Sequence, residues 1–326
     1  MIVKKNYIFK FFSFFLISFI LSNLLTNALE ENEINSTNNL TNITNHYSKK
    51  FNPIPIINRT LTKENIILFF SPSIKLGVCF VGKTGSIVTE RIFCYLQKNS
   101  KQRKPGDFSH CEMNDKNYNT LDNFEKNYGV KKFNQFFKKY NFIRFVRNPI
   151  DRLISGFIHL CYYGLSNNKH YCYGCNRNLT CFVNELEKTL WKILNHKVIP
   201  YKKNENFYYS HYFHPQTWSC EYYKLDHMYT NIKYNSSNKD SFSNNIVKVL
   251  KNSFVPNNIL DVIKKNIHNA KTPHVTFSKH ITTIYKNVLY NNPLLIKKVC
   301  SIYYYDFIKF GFEFPQICTN STNSKK

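Results

Sequence analysis

Phe142-Ile-Arg-Phe-Val-Arg147-Asn148-Pro149-Ile-Asp-Arg152-Leu-Ile-Ser155-Gly-Phe157 changes character at its middle. Up to Val146 it is a short, mainly apolar run of strand length. Pro149 then suits the first turn of a helix, where its missing N–H has no partner to lose. Ile150, Leu153, Ile154, Phe157, Ile158 and Cys161 follow at helical spacing. A second unit of the same kind lies upstream. Leu76-Gly-Val-Cys-Phe-Val81 is an apolar run set between Gly77 and Gly82 and reads as a buried strand. After Lys83-Thr84-Gly85-Ser86, the segment 87–97 places Val88, Ile92, Phe93 and Leu96 at helical spacing. Two strand–loop–helix units in a chain of 326 residues fit an α/β domain with a sizeable core.

Each unit delivers groups suited to an anion. In the first, a strand brings Lys83, Thr84, Gly85 and Ser86 to the start of a helix. Backbone N–H groups and the dipole at such a terminus attract phosphate oxygens, Lys adds a point charge and Ser or Thr a short hydrogen bond. The loop is not a Walker A sequence, because Lys83 precedes the glycine, and taken alone it reads equally as a turn between core elements. In the second, Arg152 and Ser155 lie three apart on one helix face, and Arg147 leaves the strand end toward the same space. The competing reading there is a surface pair of Asp151 with Arg152 and an arginine capping the helix.

Composition bounds the partners. Forty-five Lys and Arg against 20 Asp and Glu leave a formal charge of +25, which calls for an anionic partner unless base composition alone has enriched the chain in Lys. Hydrophobic residues at 43% and aromatics at 17% exclude a wholly disordered chain. Lys4, Lys5 and Lys10 precede an uncharged run from Phe11 to Leu25, the pattern of a secretory signal peptide or of a signal anchor. Sequons at Asn35, Asn39, Asn42, Asn58, Asn178, Asn235 and Asn320 all follow it, and the ten cysteines are even in number. Both fit an oxidising lumen and a disulfide framework, with zinc or redox chemistry at Cys172-x-x-Cys175 as the alternative. Nucleic acid is excluded as a partner by that compartment.

The chain divides accordingly: a signal peptide or anchor over 1–28, a glycosylated, Asn/Ser/Thr-rich stem over 29–65, a catalytic domain over 66–318 and a polar tail over 319–326. Within the domain, 99–127 and 235–245 read as polar surface insertions and 161–181 as a cysteine-stapled loop. Residues 259–267 and 294–310 read as helices.

The two units together resemble the Golgi carbohydrate sulfotransferases, in their chondroitin 4-O-sulfotransferase-like branch. Lys83 and Ser86 fall where that family has its 5'-phosphosulfate loop, and Arg147, Pro149, Arg152 and Ser155 fall on its 3'-phosphate motif. The likeness continues through Cys172-Tyr-Gly-Cys-Asn-Arg-Asn-Leu-Thr-Cys-Phe182, His214-Pro-Gln-Thr-Trp-Ser-Cys220, Thr272-Pro-His-Val-Thr276 and Tyr303-Tyr-Tyr-Asp-Phe-Ile-Lys-Phe-Gly-Phe312, in order over about 74–315. It implies a P-loop-like α/β fold, with a central, mostly parallel sheet flanked by helices and a disulfide-stapled insertion. It implies 3'-phosphoadenylyl sulfate (PAPS) as donor, with Lys83, Thr84, Gly85, Ser86, Arg147 and Ser155 around it, and no metal. Two positions depart from the pattern: Asn148 stands where Asp is usual, and Tyr212 where a His is common, with His211 and His214 beside it.

The implied reaction moves a sulfuryl group from a phosphate to a hydroxyl, so catalysis rests on alignment and charge. Lys83 is the expected stabiliser of the leaving phosphate and His211 the candidate base. Asn148 is expected to keep Arg147 oriented through its carbonyl oxygen. The expected acceptor is an acidic polysaccharide, a glycosaminoglycan such as chondroitin, which suits the charge. The expected place is the Golgi membrane, through the N-terminal anchor, or the secretory lumen if that segment is cleaved. A secreted glycan-binding protein on the same fold, weak or inactive in catalysis, is the alternative.

Overall fold

The computed structural model describes residues 52–57, 68–71, 74, 76–97, 118–119, 141–164, 172–195, 209–235, 238–269 and 279–319. The leader, most of the stem, most of the 99–127 insertion, Cys111, the 272–276 motif and the tail beyond Thr319 lie outside the described residues. Among those described, no helix is long and apolar enough to cross a membrane.

The sheet runs β3-β1-β2-β4-β5, with β1 Leu68–Ser71, β2 Leu76–Cys79, β3 Tyr118–Asn119, β4 Asn141–Arg147 and β5 Tyr229–Tyr234. β2, β4 and β5 are parallel, and β1 pairs antiparallel with β2 and β3 at one edge. The sheet, expected to be mostly parallel, is parallel over β2, β4 and β5 and antiparallel at its β1–β3 edge. The helices named here are α1 Ser86–Gln97, α2 Pro149–Phe157, α3 Leu179–Leu194, α4 Lys239–Asn252, α5 Asn257–Asn269, α6 Lys279–Tyr290, α7 Pro293–Ile302 and α8 Tyr304–Lys309.

β4 is buried on both faces, as a central parallel strand must be. Ile143 and Phe145 join the core made with α1, α4 and α5, where Ile92, Phe242 and Leu250 are buried. On the opposite face the fully buried Arg144 lies 4.9–5.0 Å from the ring centres of Tyr222, Tyr229 and Phe310. Its guanidinium is paired with Asp226 at 2.5 Å and with Asn231 at 2.9 Å, so the buried charge is compensated.

Three expectations are corrected. Residues 235–245 do not form a surface insertion: α4 starts at Lys239, and Phe242, Ser243, Ile246 and Leu250 bury one stripe of it. The helix expected over 294–310 is two, broken at Tyr303, whose hydroxyl donates to Phe213 O at 2.7 Å. The packed domain also takes in residues 53–57, assigned above to the stem. Ile54 and Ile57 are buried there, Ile54 N donates to Ser301 O, and Trp218 Nε1 donates to Pro55 O at 2.8 Å.

Eight of the described cysteines form four disulfides. Cys161–Cys172 and Cys175–Cys181 staple the loop leading into α3, so Cys172 and Cys175 belong to separate bridges. Cys300–Cys318 ties α7 to the end of the domain, and Cys79–Cys220 joins the end of β2 to a segment 141 residues later. A loop that long restricts the unfolded chain strongly. The Cys79→Ala/Cys220→Ala double variant is expected to lose about 3–5 kcal/mol in equilibrium denaturation; a loss below about 1 kcal/mol would show that the bridge adds no constraint of its own.

Candidate active site

The carboxyl ends of β2, β4 and β5 meet, the place where open parallel sheets bind ligands. β2 leads into the loop carrying Lys83, β4 ends at Arg147, and β5 ends at Tyr234, which pairs with Arg147 in register. A cleft of about 240 Å³ opens there.

Its first wall is the loop before α1. Lys83 and Gly85 both adopt left-handed backbone, with φ of 66° and 85°. Gly85 is required twice over, because a Cβ on it would stand 2.6 Å from the Tyr234 ring. Lys83, Gly85 and Ser86 line the cleft. Thr84 does not: it is 1% exposed, and its hydroxyl donates to Val81 O at 2.6 Å. It closes the loop from behind, so its side chain has no share in the ligand role expected of it.

The second wall is the β4–α2 junction. Arg147 and Ser155 both face the cleft, as expected. Arg147 Nη1 rests on Lys83 O at 3.0 Å, and its guanidinium lies 5.4 Å from the Tyr234 ring centre. Arg152 shares a helix face with Ser155 but takes a different part. It is 1% exposed and donates to Gly82 O at 2.9 Å, His214 O at 2.8 Å and His211 O at 3.0 Å. Asp151 pairs instead with Lys286 at 2.6 Å. Arg152 is thus a clamp between the first loop and the segment around His211.

Asn148 also differs from expectation. Its Oδ1 accepts from Ile150 N at 3.0 Å and Asp151 N at 3.2 Å, so it caps α2 and does not orient Arg147. The signal was present in the sequence, since Asn directly before Pro at a helix start is a capping arrangement. What fixes the Arg147 backbone is Gln216, a residue quoted above only as part of a likeness. Its Oε1 accepts from Arg147 N and its Nε2 donates to Arg147 O, both at 2.9 Å. Gln216 is in turn held by Asp306.

The third wall carries His211, Tyr212 and His159. His211 is brought to the site, whereas His214 is buried against Trp218, with ring centres 5.5 Å apart, and does not line it. Lys83 Nζ sits 4.5 Å from the Tyr212 ring centre. Burial, aided by the charge of Arg147, lowers the Lys83 ammonium to about 7. Burial, aided by Arg152 and Lys83, lowers the His211 imidazole to about 3, so it is neutral across the physiological range. None of the residues described along the cleft is acidic. Two cations, the hydroxyls of Ser86 and Ser155 and the start of α1 suit a ligand with more than one phosphate-like group.

The sequence profile of the Sulfotransferase family matches residues 67–313. The Caenorhabditis elegans protein named carbohydrate sulfotransferase chst-1 is 28% identical over 253 residues, covering 74% of this chain and 74% of the relative. The uncharacterized protein C18B2.2 of the same organism is 26% identical over 256 residues, covering 76% of this chain and 69% of the relative. No solved structure matches the chain. A family match over most of its length shows that this chain belongs to the sulfotransferase family.

If Asn148 serves as a helix cap, Asn148→Ala is expected to lower stability by about 1 kcal/mol, whereas Asn148→Asp, an equally good cap, stays within about 0.5 kcal/mol of the parent. Thermal melts of the two variants check this; a larger loss for Asp than for Ala would contradict the capping role.

Proposed function

We propose that this sulfotransferase takes PAPS as donor and a hydroxyl of a carbohydrate, a glycosaminoglycan of the chondroitin class, as acceptor. The observation that carries the reading is the cleft at the carboxyl ends of β2, β4 and β5, where Lys83 and Arg147 face a space lined by no carboxylate among the described residues. A donor with phosphate at both the 3' and 5' positions asks for that separation of cations onto two loops. Arg147 and Ser155 are the groups for the 3'-phosphate. Lys83, Ser86 and the backbone of the Gly85 turn are the groups for the 5'-phosphosulfate. PAPS supplies an activated sulfuryl group, and the remaining work of the protein is to align it and to stabilise charge on the departing phosphate.

Lys83 is the residue for that stabilisation. His211 is the residue to take the acceptor proton, since it lines the cleft in its neutral form. An anionic donor offsets the charges of Lys83 and Arg152, two of the causes that hold His211 low, and so raises its proton affinity when it is needed. A carbohydrate acceptor is supported by the name of the chst-1 relative, and a polyanionic one by the +25 charge. The apolar N-terminal run, the sequons and the disulfides support a lumenal, glycosylated protein of the Golgi, anchored by residues 1–28 or released from them.

Incubation with radiolabelled PAPS and a panel of desulfated glycosaminoglycans tests the reading. Label is expected in chondroitin above the other chains; incorporation into none of them would overturn the acceptor class.

The pH dependence of kcat/KM for the donor gives a second test. Lys83 must be protonated to act, and its lowered value in the free protein means that charge is lost as pH rises through about 7. kcat/KM is therefore expected to fall on the alkaline side of about 7, approaching tenfold per pH unit. His211, lowered to about 3, contributes no limb between pH 5 and 8. Lys83→Arg is expected to abolish the alkaline fall, because guanidinium stays charged; persistence of the fall in that variant would assign it to another group.

A further inference from the structure

Arg147 is the last residue of β4, and beyond it the backbone turns into α2. An arginine at a strand terminus has a mobile base as well as a long side chain, so its guanidinium is poorly placed unless the backbone is held. Here a side chain holds it. The Gln216 amide meets both the N–H and the C=O of Arg147, as a neighbouring strand residue would.

The carboxylate of Asp306, a residue with no exposed surface, fixes that amide. Asp306 Oδ2 accepts from Gln216 N at 2.7 Å and from Gln216 Nε2 at 3.3 Å. Its Oδ1 accepts from Thr217 N at 2.9 Å and Thr217 Oγ1 at 3.0 Å. Gln216, Thr217 and Asp306 are all buried, so each of these bonds is made away from competing water. The chain of contacts runs from α8 through the 3-10 turn Gln216–Trp218 to the end of β4, and it ends at a residue facing the cleft.

We infer that Gln216 and Asp306 are positioning residues that give the cleft its preference for a nucleotide bearing a 3'-phosphate. The inference rests on the reading that Arg147 takes that phosphate. Ser155 is secured within α2, and the Lys83 loop, which also accepts from Arg147 Nη1 at Lys83 O, keeps its separate Arg152 bond at Gly82 O when Arg147 shifts. Loosening Gln216 therefore frees Arg147 and leaves the 5'-phosphate end of the cleft in place. A purely structural role would weaken every ligand alike; a positioning role removes the discrimination between two nucleotides that differ only at the 3' position.

The test is calorimetric titration of the folded protein with adenosine 3',5'-bisphosphate and with adenosine 5'-phosphate. Gln216→Met keeps the volume of the side chain and removes both bonds to Arg147. Asp306→Asn turns a donor toward one of the two donor pairs that the carboxylate accepts from, at Gln216 or at Thr217, and Thr217→Val removes one bond to Asp306. Gln216→Met and Asp306→Asn are expected to lose about tenfold in bisphosphate affinity, with monophosphate affinity within about twofold of the parent. Thr217→Val is expected to lose about threefold on the bisphosphate alone, and it decides the matter if the other two do not fold. Equal weakening of both nucleotides, or an unchanged ratio in Thr217→Val, would overturn the inference. Arg147→Ala separates the two levels. If it leaves the ratio unchanged, the reading of Arg147 itself fails; if it collapses the ratio while folded Gln216→Met and Asp306→Asn variants retain it, only the positioning role fails.

Discussion

The arrangement depends on one buried guanidinium. Arg152 gathers the carbonyl oxygens of Gly82, His211 and His214, which belong to the loop after β2 and to a segment about 130 residues later. The three carbonyls converge on one guanidinium, and a buried carbonyl left unpaired costs about 1–3 kcal/mol. An arginine fits because its donors fan out in a plane and it remains charged when buried. Burial pushes its pKa down, and the nearby Tyr303 and Asp306 oppose that shift. The same contact brings His211 against the Lys83 loop: a Cβ on Gly82 would stand 2.6 Å from both the His211 and Tyr212 rings. The geometry of the cleft and the stability of the fold are joined at this point.

The site also illustrates how charge is stored. Lys83 is held beside Arg147 and against an aromatic ring, with no acidic neighbour along the described lining. Crowding of like charge disfavours the free state of such a cleft, and an anionic ligand relieves it. A carboxylate in the lining would pair with these cations and weaken the attraction of the cleft for an anion. The acidic residues nearest the site are accordingly tied elsewhere, Asp151 to Lys286 and Asp306 to the 216–217 backbone.

Legibility in the sequence followed the range of the interactions. The β4–α2 junction was readable because its strand run, its Pro149 and its apolar helix face are all local signals, and Arg147 and Ser155 came with it; Lys83 and Ser86 came from the loop before α1, and His211 only through the family resemblance. β5 was not, since only Tyr229 and Ile232 of Tyr229–Tyr234 are buried and no alternation marks the strand. Nothing local distinguishes the hydroxyl of Thr84, which turns inward, from that of Ser86, which does not. Gln216 and Asp306 act across 69 and 90 residues of chain, so their part emerges only when the fold brings them together. α4 is a different case. Phe242, Ile246 and Leu250 recur every four residues, a readable stripe hidden by the Asn, Ser and Lys around it.

The net charge and the site answer different questions. A charge of +25 spread over 326 residues draws any polyanion toward the surface and carries no information about which bond is to be made. Selectivity has to come from cations whose positions are fixed, and the described cleft offers two, each restrained by backbone contacts: Lys83 by its left-handed turn and Arg147 by Gln216 and the Lys83 carbonyl. Surface lysines can be exchanged for one another with little effect on such attraction, because each is screened within about 8 Å at physiological salt. The same exchange within the cleft changes the geometry that the reaction requires. Beside the Arg152 clamp, neutral groups thus help fix where the two charges stand: Gln216 bonds the Arg147 backbone, and Gly85 and Thr84 shape the turn that carries Lys83.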